Sequence, residues 1–74
     1  VRYEFCIPDR KECRAEVYRL DPSVEFMPGS RGRAGCGPGQ LLCVGNTHQP
    51  DWRAVLNSLA ALGYVARIEE WTGE

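Results

Sequence analysis

The sequence predicts a small α+β protein: a mixed or antiparallel sheet of four to five strands with one helix packed on one face, in the order β-β-β-β-α-β. Three observations predict it. Apolar residues occupy every odd position of Val1-Arg2-Tyr3-Glu4-Phe5-Cys6-Ile7, the period-two signature of a half-buried strand. Leu41-Leu42-Cys43-Val44 is a continuous apolar run, as in a strand covered on both faces. Trp52, Val55, Leu56, Leu59 and Leu62 follow the i, i+3, i+4, i+7 spacing of an amphipathic helix.

Taken in order, the first strand ends at Pro8-Asp9-Arg10-Lys11, a turn in which proline fixes φ and aspartate can bond the backbone that follows. A second strand is expected from Cys13 to Leu20, because Cys13, Ala15 and Val17 alternate with Arg14 and Glu16, so that a hairpin opens the fold. Asp21-Pro22-Ser23 reads as another turn, and Val24 to Met27 as a short third strand. Residues 28–40 hold five glycines, two prolines, Arg31 and Arg33 and no acid, which predicts a flexible exposed loop without regular structure. The apolar run at Leu41 to Val44 follows as the centre of the sheet. A helix is expected from Pro50 to Leu62, with Pro50 at its first position, Asp51 complementing the positive end of the helix dipole and Gly63 as a left-handed cap. A last strand from Tyr64 to about Trp71 is expected to pair in parallel after a right-handed crossover.

The chain has 74 residues, 43% apolar and 26% charged, which suits one domain over 1–74 with a modest core. Net charge is −1, so no overall field favours nucleic acid or an anionic membrane. No long apolar run and no signal-peptide series is present, and a cytoplasmic location is expected.

Cys6, Cys13, Cys36 and Cys43 read as C-x6-C, a long gap, then C-x6-C. Structural zinc sites place ligand pairs two to four residues apart, which counts against a zinc-stabilised module without removing it. Disulfides need an oxidising compartment, so free buried thiols are the favoured reading. Cys6 is in phase with Arg2 and Glu4 on the outer face, whereas Cys13 is in phase with the core, which argues against a bond between those two.

No catalytic set is evident and no metal or cofactor is expected. His48 is the only histidine, and a pair of Cys43 or Cys36 with His48 as base lacks an orienting third group. The glycine-rich loop lacks the lysine and the following helix of a phosphate-binding loop. Its arginines suit bidentate contact with carboxylate or phosphate. The expected function is therefore non-enzymatic: a small regulatory or adaptor protein that binds a larger protein partner. Bacterial or phage regulators of the transcription machinery, acting on host RNA polymerase, are the example suggested by size. Arg31, Arg33, Arg2, Arg14 and Trp71 are the candidate contact residues, with Arg2, Glu4, Arg14 and Glu16 forming a mixed-sign exposed hairpin face. The alternative is a nucleic-acid-binding module that uses the basic loop. A monomer or weak dimer is expected, through an unpaired edge strand.

Overall fold

Strand β1 (Arg2–Pro8) forms where the alternation predicts it, and helix α1 (Lys11–Leu20) follows directly. Then come β2 (Glu25–Met27), β3 (Gln40–Asn46), α2 (Trp52–Ala60) and β4 (Glu69–Trp71) in this computed structural model, which describes residues 1–71 without the side chain of Trp71. The α+β class is as expected, but with two helices and four strands among the described residues, in the order β-α-β-β-α-β.

All pairings are antiparallel and the strand order is β2-β3-β1-β4. Because β1 and β3 are neighbours and antiparallel, each strand-helix-strand unit has a strand inserted between its two parallel members. This is the split β-α-β, or ferredoxin-like, arrangement. The expectation that the last strand pairs in parallel is corrected accordingly. β4 runs parallel to β3 as a crossover requires, yet it hydrogen-bonds to the intervening β1, with Glu4 opposite Glu69 and Arg2 opposite Trp71. It is also shorter than the expected Tyr64 to Trp71.

The larger correction concerns Cys13 to Leu20, which are helical. Cys13 and Val17 are buried and Leu20 half-buried, an i, i+4, i+7 stripe, while Ala15 is exposed. The short alternation was therefore coincidental with a helical period. Lys, Glu, Arg, Ala and Leu dominate the segment and favour a helix, and Glu12 in its first turn and Arg19 in its last complement the dipole. Helix α2 falls inside the expected Pro50 to Leu62. Its C-terminal cap is Ala61 in right-handed geometry, and Gly63 is not in the left-handed region. Tight turns closed by Leu62 N–H to Leu59 O and by Val65 N–H to Leu62 O carry the chain out instead.

Both helices cover one face of the sheet. Tyr3, Phe5 and Ile7 of β1 and Leu41 and Cys43 of β3 meet Cys13 and Val17 of α1 and Leu59 of α2 in the main core. A second, smaller cluster lies on the other face, where Leu42 and Val44 pack under Cys36, with Cys6 and Ala34 beside them. The expectation that Leu41 to Val44 is covered on both faces is met, and the cover on the outer side is the glycine-rich loop. No described helix is long and apolar enough to cross a membrane.

Candidate functional site

Strand alternation directs Arg2, Glu4 and Cys6 to the outer face, and cross-strand pairing aligns Glu25, Val44, Glu4 and Glu69 in one row across the sheet. Residues 31–37 cross the middle of this face. They are fixed at two points: a disulfide joins Cys36 to Cys6 with Cα atoms 5.5 Å apart, and the Ala34 N–H donates to Glu4 Oε1 at 2.7 Å. The disulfide corrects the expectation of four free thiols. Cys13 and Cys43 alone remain as thiols, and Cys6 and Cys13 are not bonded to each other, as strand phase implied for Cys6. Gly32 makes the close approach possible. With φ of 60° it lies over Leu42 and Glu4, and a Cβ there would come within 2.7 Å of Glu4 Oε1 and 2.8 Å of Leu42. Further along, the Cys36 N–H returns to Arg31 O at 2.9 Å, and the Asp9 N–H bonds Gly39 O at 2.9 Å where the loop meets the end of β1.

Glu4 belongs to this buried layer and not to an exposed face. It is fully buried, and its Oε2 has no hydrogen-bond partner among the described residues. The expected hairpin face of Arg2, Glu4, Arg14 and Glu16 therefore does not exist. Arg14 sits on α1, across the sheet from Arg2, and pairs with Asp9 at 2.5 Å. Arg2 lies 3.9 Å from Glu25 on the open part of the outer face. Glu16 accepts a 2.6 Å hydrogen bond from the Tyr64 hydroxyl. Arg31 and Arg33 are exposed and form no ion pair among the described residues. The side chain of Trp71 lies outside the described residues.

On the helix side, Asp21 is a second buried carboxylate that sequence reading took only for a turn residue. It accepts hydrogen bonds from the Tyr3 hydroxyl, from Ser23 Oγ at 2.6 Å, from the Ser23 N–H at 3.1 Å and from Gln49 Nε2 at 3.2 Å. Gln49 also reaches Asn46 O at 2.9 Å, so the network ties the end of α1 to the end of β3. Burial and then the bond to Asp21 push the Tyr3 phenol well above its ordinary range. Burial and the nearby Asp21 push the Cys43 thiol up to about 12. A nucleophilic cysteine needs the opposite shift. Cys36 is consumed in the disulfide and His48 is exposed, its N–H held by Asn46 Oδ1 at 2.9 Å, so the imagined cysteine-histidine pair is not assembled.

A cleft of about 410 Å³ opens between α2 and β4, lined by Tyr3, Trp52, Leu56, Ile68, Glu69 and Glu70 among others. Two of its lining residues are engaged by arginines outside it. Arg53 lies 5.0 Å over the Trp52 ring, and Arg67 pairs with Glu69 at 2.8 Å. Among the described residues no group of three or more His, Cys, Asp or Glu side chains is placed to hold a metal ion. The signal for the loop's position was present in the sequence: a second face of Leu42 and Val44 needed a cover, and only residues 28–40 were left to supply it. Comparison with known protein families, with curated proteins and with solved structures finds no match for this chain.

Proposed function

We propose that this chain is a non-enzymatic regulatory or adaptor protein that presents Arg31 and Arg33 to an acidic surface of a larger protein partner. The observation that carries this reading is their placement. Both arginines are exposed and unpaired among the described residues, on a loop held to the sheet at Ala34 and Cys36. A guanidinium held close to its binding position loses less freedom on docking than one on a loose arm. The protonated, buried Cys43 thiol and the exposed His48 support the non-enzymatic part.

A nucleic-acid partner is the second reading, and the outer face weighs against it. Glu25 and Glu69 flank the covered strip in the same row as Glu4, paired with Arg2 and Arg67, and a face of alternating sign suits a mixed-sign protein surface better than a run of phosphates. Short edge strands at β2 and β4, three residues each, suit a monomer or weak dimer. We place the protein in the cytoplasm as part of the same reading.

The test is affinity capture with the parent chain, purified bacterial RNA polymerase being the first single bait. The partner so obtained is then titrated against parent and an Arg31→Ala, Arg33→Ala double variant. The double variant should bind more weakly by about 1 to 4 kcal/mol at low salt, with the gap closing as salt rises. Equal affinity at low salt ends the proposal, and tighter retention on RNA or DNA than on any protein moves it to the second reading.

A further inference from the structure

We propose that the Cys6 to Cys36 disulfide is a redox latch, which a dithiol reductant of the thioredoxin class opens to free residues 31–37 from the outer face while the helix side of the fold stays intact. The loop geometry alone carries this, whether or not Arg31 and Arg33 dock a partner.

The bond is the only covalent cross-link between the loop and the sheet among the described residues. What holds the loop otherwise is thin. Ala34 and Cys36 pack on Leu42 and Val44, the Ala34 N–H reaches Glu4, and the remaining bonds, from Gly37 to Gln40 and from Asp9 to Gly39, lie at the strand ends. Against this stand the ordering of a glycine-rich segment and the burial of Glu4 with Oε2 unpartnered. Opening the cover hydrates that oxygen and releases that entropy. The main core does not depend on the latch, because Phe5, Ile7, Val17, Cys43 and Leu59 pack on the opposite face.

The bond can be reached. Cys6 is half-buried and borders a surface depression of about 100 Å³ lined by Ala34, Gln40, Tyr64, Ala66 and Arg67. Cys36 is buried but borders a neighbouring hollow shared with Arg31. Attack by a reductant thiolate therefore falls on Cys6 Sγ. The electron pair of the sulfur–sulfur bond leaves with Cys36 Sγ. The reductant's second thiolate then attacks the mixed disulfide and releases Cys6. Two electrons pass to the cysteine pair, the two protons of the dithiol end on Cys6 and Cys36, and the reductant leaves as a disulfide. Cys13 and Cys43 are buried on the helix side and take no part in the exchange. In a cytoplasmic protein a disulfide of this kind is transient and regulatory, not permanent.

Opening exposes Leu42, Val44 and Glu4 as a new surface and loosens the display of Arg31 and Arg33. The experiment is amide hydrogen exchange on the intact chain, oxidised and after incubation with reduced thioredoxin, with Cys36→Ser as a second route to the unlatched state. Reduction should speed exchange at the Ala34 and Cys36 amides by about tenfold or more, as for a local opening, and leave the β1 to β3 ladder protected. Three results would overturn the latch. Unchanged loop protection after reduction would mean that packing alone holds the cover. Loss of ladder protection together with the loop would make the bond a staple of the whole fold. A disulfide that survives thioredoxin in the folded chain but not in urea would be out of reach.

Discussion

The Tyr3 hydroxyl donates a hydrogen bond to Asp21 Oδ2 inside the protein, joining the first strand to the residue that ends α1. Gly45 on β3 is what leaves room for the pair, since a Cβ there would stand 2.7 Å from Tyr3 Cε1 and 2.8 Å from Asp21 Oδ2. Tyr3→Phe keeps the ring in the core and removes only the donor, so Asp21 retains its Ser23 and Gln49 partners but loses the one on Oδ2. A buried acceptor left short of a partner costs about 1 to 3 kcal/mol, and urea unfolding of the variant should show that loss. An unchanged midpoint would mean that water replaces the phenol at Oδ2.

Stability should fall in alkali, and the sign follows from two groups. The Cys43 thiol is raised to about 12 and the Tyr3 phenol is raised above its ordinary range, so the folded state keeps protons that the unfolded chain gives up. A raised acid contributes stability that is fully present below its unfolded pKa, about 8.5 for cysteine and about 10 for tyrosine, and that is lost as pH rises toward the folded value. Urea midpoints should be level from about pH 7 to about pH 8 and drop by about pH 11, with a shallower drop for Tyr3→Phe. A flat profile to about pH 11 would contradict the burial of both groups.

What the sequence disclosed about the fold depended on how many residues carried the period. Seven residues of strict alternation located β1, and a stripe over Trp52 to Leu59 located α2. From Cys13 to Val17 only five residues were available, and over that span a strand pattern and a helix pattern share Cys13 and Val17. Length and helix propensity over Lys11 to Leu20 decide between them, and tertiary contact with the sheet confirms the helix. A strand at Cys13 to Leu20 makes that segment the hairpin partner of β1 and puts Glu4 on an exposed hairpin face, whereas the neighbours of β1 are β3 and β4. Asp21 was hidden for a different reason, since an Asp-Pro-Ser turn reads the same whether its carboxylate is solvated or clamped by Tyr3 and Gln49. Arg31 and Arg33 were legible as exposed because glycine and proline on either side leave no regular element to bury them.

The helix stripe also ranks two leucines that sequence spacing treats alike. Leu59 is fully buried against the main core, whereas Leu56 is half-buried and borders the cleft beside Trp52 and Ile68. Leu59→Ala should cost about 2 to 5 kcal/mol, the range for a buried leucine that leaves a cavity, and Leu56→Ala clearly less because its site opens to solvent. Thermal or urea unfolding of the two variants decides the order. Equal losses would mean that α2 is rotated from the orientation described.

Two glycines of the loop separate the covering role of residues 31–37 from the conformational demand of the turn alone. Gly29 has φ of 79° with nothing within 4 Å of the place a Cβ would take, so Gly29→Ala meets only the backbone cost of the left-handed region, about 1 to 2 kcal/mol. Gly32 has φ of 60° and in addition would drive its Cβ into Glu4 Oε1 and both methyls of Leu42. Glu4 cannot swing away without giving up the Ala34 N–H, and Leu42 is held in the outer cluster with Val44 and Cys36. Gly32→Ala should therefore lift the segment from the sheet, and the signature is local. The Ala34 amide should exchange faster than in Gly29→Ala, while the global unfolding free energy falls by no more than the combined backbone and packing cost of about 2 to 4 kcal/mol. Because the disulfide still tethers Cys36, exchange at Ala34 should rise further when Gly32→Ala is combined with reduction. Matching exchange at Ala34 in the two alanine variants would show that Gly32 is a turn residue only, and that Glu4 and Leu42 yield to a methyl without disturbing the cover.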